Sequence, residues 1–123
     1  MADWGTARIL ATDFCHGRQH DFQLFKQSNY PLSEQTCVLA DAGYQGLAKL
    51  HSNSQTPAKK SKLHPLSPDQ KANNRTLSKK RILVENIFRK LKVFRILSER
   101  YRNRRTRFGL RFNLISAIYN LQL

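Results

Sequence analysis

The first half of the chain alternates apolar runs with turn signals. Residues 8–15 form one run, closed by a His-Gly pair, and residues 36–40 form a second run without a charged break. We expect a strand over each run, with the second strand buried on both faces. The spacing of aromatic and leucine residues predicts a short helix over 20–26, capped by Asp21, and another helix over 45–51. Strand, helix, strand and helix in this order predict an α/β sheet with a parallel pair.

The second half of the chain combines a polar stretch with two helical patterns. The polar stretch contains three prolines and predicts an irregular loop, whereas apolar residues then recur at helical spacing. The last helix, predicted over 108–121, has an apolar stripe of Leu110, Leu114, Ile118 and Leu121. We therefore expect one segment in four parts: strand-helix-strand-helix over 1–51, a basic loop over 52–76, a helix over 77–98, and a basic turn with a final helix over 99–123.

The charge distribution indicates the class of partner. The formal net charge is +14, of which residues 1–58 carry −1 and residues 59–123 carry +15. A field of one sign over half a chain is typical of a polyanion-binding surface, with nucleic acid as the first candidate and an anionic membrane as the second. No apolar run of about 18 residues and no lipid-anchor pattern supports the membrane. Two cysteines, Cys15 and Cys37, are too few for a disulfide scaffold, so we expect a reduced cytosolic protein.

Two carboxylates are candidates for phosphoryl-transfer chemistry. At roughly 100° per residue, Arg81, Glu85 and Lys92 lie within an arc of about 40° on the predicted helix. Asp41 directly follows the apolar run 36–40, where the carboxyl edge of a sheet faces a crevice. Carboxylates in such positions suit a divalent metal. The same spacing also fits an exposed helix with salt bridges around Glu85, and an Asp41 that only caps a turn. The apolar arc by which this helix would pack consists of Val84, Ile87, Phe88, Leu91 and Phe94.

Two basic clusters are candidates for contacts to a nucleic-acid backbone. The denser cluster consists of Arg100, Arg102, Arg104, Arg105 and Arg107, with aromatic residues between them. The second consists of Lys59, Lys60 and Lys62. Arginine forms bidentate contacts to phosphates, and like charges at such density repel one another without a partner. We expect the arginines to bind DNA phosphates, while the lysines fit either DNA binding or a solvated loop.

An ordered series of short motifs runs through nearly the whole chain. The motifs are His20-Asp-Phe-Gln-Leu-Phe-Lys26, Ala40-Asp-Ala-Gly-Tyr-Gln-Gly46, His51-Ser-Asn-Ser54, Lys59-Lys-Ser-Lys62 with Pro65-Leu-Ser67, Arg81-x-x-x-Glu85-Asn86 and Tyr101-Arg-Asn-Arg-Arg-x-Arg-Phe-Gly-Leu-Arg-Phe-Asn-Leu-Ile115. This series resembles the C-terminal part of bacterial transposases of the insertion sequence 5 group, in the DDE endonuclease superfamily. The resemblance implies an α/β fold: an incomplete RNase H-like core that lacks its first strand or strands, followed by basic C-terminal helices.

The same resemblance implies a function and a set of site residues. The implied activity is Mg²⁺-dependent cleavage and strand transfer at transposon ends and target DNA. Asp41 matches the second catalytic aspartate and Glu85 the catalytic glutamate, both as metal ligands. Arg81 and Lys92 match the cations of the Arg-x₃-Glu-x₆-Lys signature. The tyrosine that the family has three residues before this arginine is Ser78 here.

The family's first catalytic aspartate has no counterpart in this sequence. It lies on a strand well upstream of the His20-Asp21 motif, and only nineteen residues precede His20. We therefore expect a marginally stable C-terminal part that is inactive alone and acts with an upstream transposase segment, in a bacterial, nucleoid-associated enzyme that is oligomeric when complete. One alternative is an inactive DNA-binding remnant of a decayed element. Another is a small basic RNA-binding protein, which would explain the charge but not the two carboxylates.

Overall fold

Helices make up most of the regular structure in the computed structural model, which describes residues 1–15, 17–98 and 107–123. The helices are α1 (Asp21–Ser28), α2 (Pro68–Leu91), α3 (Arg95–Ser98) and α4 (Phe108–Leu121). Two short strands, β1 (Val38–Leu39) and β2 (Ser54–Gln55), pair in parallel with Val38 opposite Ser54. Two turns of 3₁₀ helix cover Ala42–Tyr44 and Leu47–Lys49. None of the helices within the described residues is long and apolar enough to cross a lipid bilayer.

The chain divides into two compact units, one of Cys15–Lys80 and one of Met1–Phe14 with Arg81–Leu123. The first unit contains α1, the two strands and the first half of α2. In it the rings of Phe22 and Phe25 pack on Tyr44, with centroids 5.7 and 6.1 Å apart. Leu47 is fully buried in this unit. These contacts hold α1 against the 3₁₀ helix that follows β1.

The second unit is built on the second half of α2 and on α4. Its buried cluster consists of Ile87, Leu91, Ile115 and Tyr119. The N-terminal segment crosses α4 through polar contacts: the Asn120 amide accepts the Ile9 N–H and donates to the Ile9 carbonyl, both at 2.8 Å. The Tyr119 hydroxyl donates to the Ala7 carbonyl at 3.2 Å.

The prediction of a strand over 8–15 is wrong. Within the described residues this run forms only an isolated antiparallel bridge between Ala2 and Ile9. The backbone of Ile9 bonds instead to the Asn120 side chain, which replaces a neighbouring strand. A parallel pair does form, but the partner of β1 is β2, which lies inside the predicted irregular loop. Residues 38–39 are half-buried and not buried on both faces.

Helix α2 begins nine residues before the predicted start at 77 and ends at Leu91 and not at 98. Pro68 occupies its first position, where the missing N–H has no effect. Ser67 and Gln70 form a reciprocal capping box: the Ser67 hydroxyl accepts the Gln70 N–H at 3.2 Å, and the Gln70 side chain accepts the Ser67 N–H at 3.0 Å. The prolines and polar residues of 65–76 predict a loop, but Ser67, Pro68 and Gln70 among them form the start of a helix.

The helix predicted over 45–51 is also wrong. Gly46 has φ of +91°, a left-handed conformation that an α-helix cannot contain. The segment therefore forms only the 3₁₀ turn Leu47–Lys49 after this glycine, and the other 3₁₀ turn, Ala42–Tyr44, ends before the segment begins. Helix α1 forms over 21–28, close to the predicted 20–26, but its cap is His20 and not Asp21.

The buried faces of α2 and α4 differ from the predicted stripes. In α2, Ile87 and Leu91 are buried as expected, whereas Val84 and Phe88 are 38 and 49% exposed, and Phe94 lies beyond the end of α2 and is 39% exposed. In α4 the bounds are as predicted, but the predicted stripe of leucine and isoleucine faces outward, because Ile115, Ser116 and Tyr119 form the packed face. Cys15 is half-buried and Cys37 is exposed. Both were expected to lie in strands, and neither does.

Candidate active site

Asp41 lies at the carboxyl end of β1, where the chain turns into a 3₁₀ helix. Its side chain accepts the Ala42 N–H and caps the helix Ala42–Tyr44. Asp41 therefore caps a turn, which is one of the two roles that its position in the sequence suggested. The carboxylate is also exposed and lines a cleft, so the cap does not exclude a second role.

An open cleft of about 340 Å³ surrounds this carboxylate. Both of its walls come from the unit Cys15–Lys80: one is the loop that leads into α1, and the other is the turn after β1. The lining residues are Gly17, Arg18, Gln19, His20, Asp21, Asp41, Gly43 and Tyr44. The cleft thus brings together two carboxylates, one guanidinium and one imidazole.

His20 joins the two walls of the cleft. Its Nδ1 accepts the Phe22 N–H at 3.3 Å, which caps α1. Because Nδ1 is then an acceptor, the proton of the neutral imidazole resides on Nε2. The ring lies close to Gly43, where an added Cβ would be 3.4 Å from His20 Cε1. The His20 ring and the turn after β1 are therefore within about one van der Waals contact of each other.

Tyr44 responds to the negative charge of the cleft. Partial burial raises the pKa of the Tyr44 hydroxyl first, and the carboxylates of Asp21 and Asp41 raise it further, with a smaller effect from Cys15. Both carboxylates therefore lie within electrostatic range of this hydroxyl. From the sequence, Asp21 was expected only as a helix cap, and Tyr44 had no predicted role. The motifs His20-Asp21 and Asp41-Ala-Gly-Tyr44 were the available signal that these residues belong to one site.

Glu85 lies on the exposed surface of α2, four residues after Arg81. Arg81 is half-buried, and Lys92 follows the last residue of the helix with an exposed side chain. The Lys92 N–H still donates to the Phe88 carbonyl at 2.9 Å, so the helical path continues to this residue. The expected order of cation, carboxylate and cation along one helix is present.

The two candidate metal ligands belong to different units, Asp41 to Cys15–Lys80 and Glu85 to the other. Carboxylates are the oxygen donors that Mg²⁺ prefers. Nevertheless, no group of three or more His, Cys, Asp and Glu side chains that could hold a metal occurs among residues 1–15, 17–98 and 107–123. The donor type fits a divalent cation, but the number of donors brought together among the described residues does not.

The basic candidates lie at different places along the chain. Lys59, Lys60 and Lys62 are exposed in the stretch between β2 and α2. Arg107 is exposed at the N-terminal cap of α4. Arg100, Arg102, Arg104 and Arg105 lie outside the described residues.

Comparison with known proteins assigns the chain to a class. The model of the family described as "DDE superfamily endonuclease" matches residues 5–120. The probable transposase for insertion sequence element IS702 of Microchaete diplosiphon is 52% identical over 118 residues, which make up 96% of this chain and 43% of that protein. The chain therefore spans less than half the length of this relative. No solved structure matches the present chain.

Proposed function

The chain belongs to the DDE superfamily endonucleases, and from this premise we propose that it is the C-terminal part of an insertion-sequence transposase and takes part in DNA transposition. The observation that carries the proposal is the 52% identity to a probable transposase over almost the whole chain. We further propose membership of the insertion sequence 5 group and an incomplete RNase H-like core. The ordered motifs of the sequence support both.

Asp41 and Glu85 are proposed as two carboxylate ligands of a divalent cation in the complete enzyme. The position of Asp41 after a strand of a parallel pair, in an open cleft, supports this role. The exposure of Glu85 on a long helix supports the role of Glu85 as the second ligand. Because the described residues do not supply a group of three ligands, we place the complete metal site in the longer protein.

The cations of the chain are proposed to bind DNA phosphates. Arg81 and Lys92, on either side of Glu85, would hold the phosphates next to the reacting one. The lysine cluster 59–62 and the arginine cluster 100–107 would bind the backbone farther away. Phosphate contacts position the DNA without reading its sequence. The net charge of +15 over residues 59–123 supports this division of roles.

The test is a chimera that joins this chain to the part of the IS702 transposase outside the match. We expect divalent-cation-dependent nicking of DNA that carries the element's ends. Asp41→Asn and Glu85→Gln should each abolish nicking while DNA binding is retained. Asp69→Asn is the control, since Asp69 is an exposed carboxylate in the first turn of α2. Nicking that survives Asp41→Asn and Glu85→Gln would refute the assignment.

A DNA-binding remnant is the second candidate, and the observation that favours it is the incomplete set of metal ligands among the described residues. It predicts that the chain binds DNA, and that no chimera restores nicking. A small RNA-binding protein would instead prefer structured RNA over duplex DNA in the same titrations.

A further inference from the structure

Helix α4 carries an apolar face on its outer side. Leu110, Leu114 and Leu121 are 71, 60 and 87% exposed, and Ile118 continues the same line. At roughly 100° per residue these four side chains occupy an arc of about 80°. A contiguous apolar face of this kind is typical of a docking surface, whereas scattered exposed leucines are not.

Helix α4 departs from the polarity of a helix on a protein surface, because part of its apolar surface is exposed while polar side chains lie on its packed side. A surface helix turns its polar side chains toward water and its apolar ones toward the core. In α4 the polar side chains face the N-terminal segment: Asn120 bonds to the Ile9 backbone and Asn113 to the Thr12 hydroxyl, while Ser116 is buried. Ile115 is buried on the packed side, whereas the four residues of the outer face are turned away from it. A helix that is apolar on its outer side and packed on its inner side has the pattern of an element inside a larger structure.

The size of the matched relative indicates what covers this face. The chain matches the IS702 transposase over 96% of its own length but only 43% of that protein, so more than half of the relative has no counterpart here. A longer chain buries a larger share of its surface. Among the described residues, the buried cluster of the unit that contains α4 has four members, with seven partly buried hydrophobic residues packed against it, and the leucines of the outer face are not among them.

We propose that the outer face of α4, formed by Leu110, Leu114, Ile118 and Leu121, docks the part of the transposase that corresponds to the unmatched portion of the IS702 protein. The inference rests on the proposed function, because it takes its occupant from the same enzyme. The occupant presents an apolar surface of its own to the four side chains. Docking at this face joins the two parts whether they are one polypeptide or two.

The experiment mixes the 123-residue chain with the unmatched part of the IS702 transposase, expressed separately. We expect a one-to-one complex in size-exclusion chromatography with light scattering. The double variant Leu110→Gln with Leu114→Gln should weaken the complex at least tenfold in calorimetric titration. Both positions are exposed, so the helical circular dichroism of the free variant should equal that of the parent. Leu63→Gln is the matched control, since Leu63 is 86% exposed and lies in the stretch before α2.

Three results would overturn the inference. The two parts could fail to bind, they could bind with an affinity that the double variant leaves unchanged, or the chain could pair with itself through these leucines. The last result would make a second copy the occupant, and sedimentation equilibrium would detect it. A complex that depends on the leucines but does not nick DNA would leave the docking intact and refute the proposed function. A complex that nicks DNA, and whose affinity does not change when the leucines are replaced, would support the proposed function and refute the docking.

Discussion

At the scale of single residues, the cleft beside Asp41 depends on side chains with two functions each. Asp41 caps a 3₁₀ helix and still exposes its carboxylate. His20 caps α1 through Nδ1, and its ring lies against the turn that begins with Asp41. Substitutions that remove a side chain outright therefore disturb structure and chemistry together. Variants that preserve the cap are needed to separate the two effects.

His20→Ala should lower the free energy of unfolding by about 1 kcal/mol, because the Phe22 N–H loses its acceptor. His20→Asn should lower it by much less, since asparagine is a strong N-cap residue. Urea denaturation followed by circular dichroism measures both. Equal decreases in the two variants would show that the packing of the ring on Gly43, and not the cap, is what stabilises this turn.

Tyr44 should make the stability of the chain sensitive to alkaline pH. Its pKa in the folded state is raised above the usual 10.0 by burial and by the carboxylates of Asp21 and Asp41. The folded state thus favours the neutral phenol, and this stabilisation is complete below the unfolded pKa and is lost as the pH rises through the folded pKa. The free energy of unfolding should fall more steeply above about pH 10 in the parent chain than in Tyr44→Phe. Parallel pH profiles for the two proteins would contradict this explanation.

At the scale of elements, local hydrogen bonds determine where α2 begins, whereas contacts with distant residues determine which face of α4 is buried. The start of α2 is local, because Ser67, Pro68 and Gln70 satisfy its first backbone groups within four residues. The orientation of α4 is not local. Its bounds follow from its helical pattern, but the face it buries depends on the segment 7–12, which lies about a hundred residues away in sequence.

Ser67→Ala should destabilise the first turn of α2 by about 1 kcal/mol, since the Gln70 N–H loses its partner. Ser52→Ala, at an exposed serine between the 3₁₀ turns and β2, should change stability by only a few tenths. Amide hydrogen exchange would locate the effect, with faster exchange confined to residues 69–72 in the Ser67 variant. Faster exchange throughout Cys15–Lys80 would instead indicate that the cap stabilises the whole unit.

At the scale of the whole molecule, charge is the property with the clearest functional consequence. The cations of residues 59–123 far outnumber the acids, whereas the cleft beside Asp41 lies in the part of the chain with a net charge of −1. The cations proposed to bind a polyanion and the residues that line the cleft are therefore different residues. DNA binding can accordingly be altered by substitutions that leave the lining of the cleft unchanged.

Duplex DNA affinity should fall steeply with salt, because binding releases the counterions of the phosphates. Replacing Lys59, Lys60 and Lys62 with glutamine should reduce the slope of log affinity against log salt by roughly 0.9 for each phosphate that these lysines neutralise. Fluorescence anisotropy over a salt series measures this slope. Lys49→Gln, an exposed lysine outside the cluster, should leave the slope unchanged. A slope that the triple variant does not alter would make the cluster a solvated loop.

Local pattern was sufficient for part of the fold and for the choice of the two candidate carboxylates. It predicted α1, the strand before Asp41 and the bounds of α4, because capping and helical spacing act within a few residues. It also singled out Asp41 and Glu85 from their places after a strand and on a helix. The capping box at Ser67 was equally local, but the surrounding prolines and polar residues obscured it.

Contacts between distant residues decided the rest. No short window could indicate that β1 pairs with Ser54–Gln55, that Asn120 takes the place of a strand beside Ile9, or that Asp21 and Tyr44 share the cleft with Asp41. Nor could it indicate that the leucines of α4 face outward. Periodicity shows that a helix has an apolar side, but which side is buried depends on what packs against it. In this chain α4 packs on Ile87 and Leu91 of α2 and forms hydrogen bonds to the N-terminal segment, and these contacts leave the leucine face exposed.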